Sequence, residues 1–217
     1  RRAVATMEMS DRLALVDVTT RGVLRTYPTG GREGHMVRLS PDGSRAYVTS
    51  RGAEGTLSVI FLAEDRGPVV IPTGEGAEGI AVTPDGGEVW VANRDARTIS
   101  IVDAGSLGVV ATLETPPDPR RVEITSTGRA LVPNGAGPGA VAVYDVGSRE
   151  LLENASVGEG RGFGVLAHGS SAFLSDRATG EILIWDPDRP EAVRTLATGH
   201  EEPDGMAWSP RRVAPFD

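Results

Sequence analysis

Along this chain apolar residues alternate with small or polar ones over short stretches, and the alternation is broken at regular intervals by turn-forming residues. The clearest stretch is 79–93, GIAVTPDGGEVWVAN, where Ile80 and Val82 alternate with smaller neighbours, Pro84-Asp85-Gly86 interrupts, and Val89 and Val91 resume the pattern. A period of two places successive side chains on opposite faces of a strand. In the break, Pro presets φ for the first turn position, Asp bonds nearby backbone, and Gly takes the site with positive φ. The stretch therefore predicts a tight hairpin. The same phrase recurs at 36–50 (MVRLSPDGSRAYVTS), 121–134 (RVEITSTGRALVPN) and 162–176 (GFGVLAHGSSAFLSD), and its opening returns at 205–210 (GMAWSP). The turn glycines Gly43, Gly86, Gly128 and Gly169 lie 43, 42 and 41 positions apart. A fixed period of this length marks a repeat array.

The rest of each unit repeats too. TISIVDAGSLGVVATL (98–113) aligns with LALVDVTTRGVLRTY, TLSVIFLAEDRGPVVI, AVAVYDVGSRELLEN and EILIWDPDRPEAVRTL. Each is two strands around a turn, which gives four short strands per unit. Helical repeats are excluded, because no unit places apolar residues at helical spacing and the chain holds 28 Gly and 15 Pro. The expectation is an all-β chain folded as one β-propeller domain over residues 1–217, in which stacked four-stranded sheets cover one another.

The chain starts out of phase with its own repeat. Residues 3–6 match 89–92, the second strand of a unit, whereas a lone first strand stands at 205–208. The expected units are 3–27 completed by 205–208, then 36–71, 79–113, 121–157 and 162–196. That makes five blades, closed by pairing the C-terminal strand with the N-terminal ones. The alternative is a fragment of a six- or seven-bladed propeller. The first residue is Arg rather than Met, the expectation being a chain processed, trimmed or cut from something longer.

The phrases AYVTS, VWVAN and SPDG/TPDG, followed by T-[IL]-S-[IV] and a closing V-x-x-T segment, resemble the 40-residue YVTN-type propeller repeats of bacterial and archaeal exported proteins. The resemblance covers nearly the whole chain. It implies a periplasmic, secreted or surface location and a binding role more often than an enzymatic one. It also implies seven blades more often than five. Two units depart from the pattern, with STG and AHG in place of PDG.

Composition narrows the chemistry. The 217 residues contain no Cys, so there are no disulfides, thiolate metal sites or cysteine nucleophiles. A formal net charge of −8 disfavours nucleic acid as a partner, since phosphate neutralisation supplies much of such affinity. No apolar run is long enough to span a bilayer, and a monomer without membrane insertion is expected.

In a four-stranded antiparallel blade the PDG turns and the Asp ladder (Asp17, Asp103, Asp145, Asp186) share one rim, where they act as turn formers. Binding variation belongs at the other rim. Repeat positions just before the first strands hold His35, Glu78, Arg120, Arg161 and Asp204, and positions following the second strands include Arg51, Arg94 and Arg177. Together they form a polar channel mouth. The bland reading is a wet opening whose charges pair with one another. The functional reading is a site for a small anionic or zwitterionic ligand, or another protein, on His35, Arg51, Glu78, Arg94, Arg120, Arg161, Arg177 and Asp204. No cofactor is required by it. The alternative is a metal-assisted hydrolase, lactonase or lyase with Ca²⁺ or another divalent cation held by Glu78, Asn93, Asn134 and Asp204, hard oxygen ligands from different units. No catalytic residue stands out: no serine lies in a nucleophile setting, and His168 occupies a turn slot facing solvent.

Overall fold

A computed structural model describes residues 1–160 and 164–208. Apart from one 3-10 turn at Glu8–Ser10, the regular structure is all strand. The first sheet holds β1 (Arg2–Met7), β2 (Arg12–Asp17) and β3 (Gly22–Pro28). The second holds β4 (Gly34–Leu39), β5 (Arg45–Ser50), β6 (Thr56–Phe61) and β7 (Val69–Pro72). The third holds β8 (Ala77–Val82), β9 (Glu88–Asn93), β10 (Thr98–Asp103) and β11 (Gly108–Glu114). The fourth holds β12 (Glu123–Ile124), β13 (Arg129–Pro133), β14 (Ala140–Asp145) and β15 (Leu151–Ser156). The fifth holds β16 (Gly164–His168), β17 (Ser171–Asp176), β18 (Glu181–Trp185) and β19 (Arg194–Ala197). Every paired neighbour is antiparallel and consecutive in the chain.

The alternation has a direct structural cause. On β9, Val89 and Val91 enter the core between the second and third sheets, with Tyr47, Leu57 and Val59. Trp90 and Ala92, one step out of phase, enter the core between the third and fourth, with Ile99, Ala130 and Tyr144. Both faces of the sheet are therefore buried, and β9 is buried at five of its six positions. Two further cores join the first sheet to the second and the fourth to the fifth. Trp90 and Tyr144 meet edge to face across one such interface, ring centroids 6.4 Å apart.

The hairpin turns form as the sequence predicts. Gly43, Gly86, Gly128 and Gly169 have φ between 62° and 78°, the left-handed region. Asp42 Oδ1 accepts hydrogen bonds from Ser44 N at 3.0 Å and the Ser40 hydroxyl at 2.5 Å, and Asp85 repeats the pattern with Gly87 and Thr83. The third-to-fourth-strand turns lie at the same end, tied by Leu62 N to Ser44 O, Ala104 N to Gly87 O and Val146 N to Gly128 O.

Closure differs from expectation. The first sheet stays three-stranded, and β1 pairs with β2 alone among the described residues. Residues 205–208 form no strand with β1; they lie against the fifth sheet instead. Their position follows an inter-sheet contact repeated along the array. Thr6 donates its hydroxyl to His35 O (2.9 Å), Thr49 to Glu78 O (2.7 Å) and Ser175 to Asp204 O (3.2 Å). Each hydroxyl is on the second strand of one unit; the His35 and Glu78 carbonyls lie at the start of the innermost strand of the next, and Asp204 holds the matching repeat position. Residues 204–208 thus sit beside the fifth sheet as β4 and β8 sit beside the first and second. Trp208 anchors them by stacking on His168 at 3.9 Å; His168 is exposed, as expected, but it ends a strand instead of sitting in the turn itself.

Candidate functional site

The channel mouth is built from residues that precede or open the innermost strands. Gly79 sets its centre: a Cβ there would lie 2.7 Å from Arg121 Cα and 3.0 Å from Arg120 O, so only glycine lets the Arg120-Arg121 backbone pack against β8. That approach puts the Arg121 guanidinium on Glu78, NH1 to Oε1 at 3.0 Å. Glu78 is 4% exposed, and it is also met by Arg94 at 3.3 Å and His35 Nε2 at 3.9 Å. A buried carboxylate needs such partners, because burying an unpaired charge costs several kcal/mol, on the order of 3–5 when one partner is removed.

His35 is bracketed by a second carboxylate, Glu8, 3.5 Å from Nδ1. Arg51 also binds Glu8, and its hydrogen bond is the main cause holding that carboxyl below its ordinary range, with His35 adding to it. Arg94 bonds Asp95 at 2.9 Å, which depresses the Asp95 carboxyl and raises the guanidinium. Arg120 holds both oxygens of Asp118 at 3.0 Å, and Arg177 holds Glu202 at 3.1 Å.

The residues expected at the mouth divide into two groups. His35, Glu78, Arg120, Arg177 and Asp204 line one cavity of about 890 Å³, together with Asp118, Arg121, Glu159 and Glu202. Arg51 and Arg94 reach the same network through Glu8 and Glu78 but do not line the cavity. Arg161 lies outside the described residues.

Of the oxygen set Glu78, Asn93, Asn134 and Asp204, the two carboxylates line the cavity of about 890 Å³ and the two amides do not. Asn93 is fully buried and donates to Thr98 and Ser100 within its own sheet. Asn134 donates to Val132 O and to Asn154, and its oxygen accepts from Ala136 N. Both amides serve the turns at the ends of their strands. Among the described residues no three His, Asp or Glu side chains are placed to hold a metal ion.

Asp118, Glu159 and Glu202 were not singled out from the sequence, and neither were Arg121 and Arg38. Arg121 occupies the repeat position of Met36, Gly79 and Gly205, so an arginine among apolar and small residues was the available signal. Arg38 on β4 pairs with Glu123 on β12, two sheets away across the channel. Burial lowers the Arg38 pKa, with repulsion from Arg121 adding to it. Its side chain is nonetheless 44% accessible, because it borders a second cavity rather than packed protein.

Comparison with known proteins places this arrangement. No protein-family model matches the chain. A 105-residue stretch is 30% identical to the uncharacterized protein YncE of Salmonella typhi, and the same holds for Salmonella typhimurium. That match spans 46% of this chain but 29% of the relative's length. Among solved structures, hydrazine synthase of Kuenenia stuttgartiensis superposes with a TM-score of 0.78 at 18% identity, over 91% of this chain and 63% of the other. A functionally unknown protein from Desulfotomaculum acetoxidans gives 0.76 at 17%, over 94% and 68%. The dihydro-heme d1 dehydrogenase NirN, in complex with DHE, gives 0.71 at 16%, over 91% and 44%. At such identities the likeness speaks to architecture alone, and the architecture is that of a β-propeller.

Proposed function

We propose that the chain is a non-catalytic binding propeller of the YVTN-repeat kind, acting outside the cytoplasm, that takes a small anionic or zwitterionic ligand at its channel mouth. The observation that carries this reading is the opening of three guanidinium groups, Arg120, Arg121 and Arg177, onto one cavity of about 890 Å³. That volume is within the ~300–1,000 Å³ usual for small-molecule sites. Each arginine gives part of its fork to an internal carboxylate, and other N–H groups stay available. Held this way, a guanidinium is oriented before a ligand arrives, so less entropy is lost on binding. The exported location rests on the repeat phrases AYVTS and VWVAN.

Titration calorimetry with succinate, glycine and inorganic phosphate tests this reading, using the wild type and the Arg120→Glu/Arg177→Glu variant. Both arginines are half exposed, so folding is retained. The expected result is binding of at least one probe, weakened tenfold or more by the double reversal and by raised salt. Equal binding by both proteins, or none by either, overturns the assignment.

A further inference from the structure

Beneath the mouth lies a second cavity of about 520 Å³, and its walls change character. Arg121 and Asp204 line both spaces, so the two adjoin at that pair. Beyond that pair the lining sets the charged Arg38 and Glu123 among apolar side chains: Met36 from β4, Ile80 from β8, Val122 beside β12, Val165 and Leu166 from β16, and Met206 and Trp208 from the C-terminal segment. The Arg38–Glu123 pair borders the same space and satisfies its own charges. Trp208 stays 52% accessible, although it is stacked on His168 and packed near Phe173. The entrance carries three guanidinium groups, each held by a carboxylate and each with N–H groups to spare, and the adjoining space has an aliphatic and aromatic wall, a pairing that suits an acidic head joined to an apolar body.

From this we infer that the ligand is an amphipathic acid: a carboxylate or phosphate head held by Arg120, Arg121 and Arg177, with a hydrocarbon body in the channel against Met36, Ile80, Val165, Met206 and Trp208. The inference rests on the binding reading above and adds the ligand's chemistry to it. The head gains charge-assisted hydrogen bonds from forks already in place. The body removes apolar wall and apolar ligand from water together, which at full burial is worth about fourfold in affinity per methylene.

The test is a calorimetric series of butanoate, hexanoate, octanoate and decanoate below their micelle concentrations, with decyltrimethylammonium as a cationic control. Affinity is expected to rise two- to fourfold per added methylene, and the cation is expected to bind at least tenfold more weakly than decanoate. In the Met206→Ser/Trp208→Ser variant, altered only in the segment beyond the last strand, the gain per methylene should shrink while butanoate affinity holds. Tryptophan emission reports the same event, since Trp90 and Trp185 are buried and Trp208 is the accessible indole among the described residues. If butanoate binds and longer acids bind no tighter, the amphipathic assignment fails while the anion site stands. If the cation binds as well as decanoate, the head assignment fails. If no acid of the series binds, the amphipathic assignment fails, and the binding reading then stands or falls with the succinate, glycine and phosphate titrations.

Discussion

At Asp42 a single carboxylate organises a turn, and its protonation has a direction that can be worked out. The Ser40 hydroxyl, then the Ser44 amide and hydroxyl, bond to the ionised form and lower its pKa from 3.8 to about 2. Asp17, Asp85, Asp103, Asp145 and Asp186 are lowered too, mostly by backbone or hydroxyl donors in their own turns, and by Arg189 first at Asp186. A carboxyl with a depressed folded pKa contributes stability that is present above its unfolded value and is lost as pH falls through the folded one. For Asp42 that window runs from about 4 down to about 2. Thermal midpoints measured between pH 6 and pH 2 should therefore fall on the acid side, and less steeply in Asp42→Asn/Asp85→Asn. Parallel acid limbs would show that these turns contribute nothing of the kind. The turns were legible in the sequence because Pro, Asp and Gly act on their immediate neighbours. The mouth was legible only as a set of positions. Which arginine meets which acid depends on side chains about 40 residues apart, such as Arg51 with Glu8 and Arg121 with Glu78, and no local rule sets that choice.

Between elements, the hydroxyl-to-carbonyl contact is the finer tie between one sheet and the next. Thr49 is fully buried, and its hydroxyl donates to Glu78 O at 2.7 Å. Thr49→Val keeps the shape and leaves that carbonyl without the donor, which should cost about 1–3 kcal/mol in denaturant unfolding. Because Glu78 anchors Arg121, the same variant should also weaken binding of succinate or decanoate. A change in stability with ligand affinity intact would separate the tie from the site. The four-strand unit was readable from period-two alternation, yet the shortness of β12 was not. Pro117 and Pro119, with Arg120 and Arg121 diverted to the mouth, leave Glu123 and Ile124 as its only ladder residues.

For the molecule as a whole, repetition made the architecture readable and left the ends ambiguous. Matching residues 3–6 to a second strand and 205–208 to a first strand identifies their phase, and the structure keeps that phase. Whether the two segments pair depends on the accumulated rotation from sheet to sheet, which no single unit encodes. Among the described residues β1 is paired on one side, whereas β9 is paired on both. Amide hydrogen exchange should show the β1 amides that point away from β2 exchanging within the fast, locally opening class. Those of β9 should approach the protection of global unfolding. Equal protection in the two strands would mean that β1 has acquired a neighbour in solution.

The hydroxyl ties recur at Thr6, Thr49 and Ser175, but the corresponding residues in the third and fourth sheets are Ala92 and Pro133, which have no hydroxyl to give. The array is thus stitched by different means along its length: where that hydroxyl is lacking, the third and fourth sheets are joined by the Tyr144 hydroxyl to Glu114 O and by the ion pairs Arg149–Glu88 and Arg121–Glu78. Ion pairs near the surface weaken as salt rises, so raised ionic strength should loosen that seam sooner than the ones tied by Thr6 and Thr49.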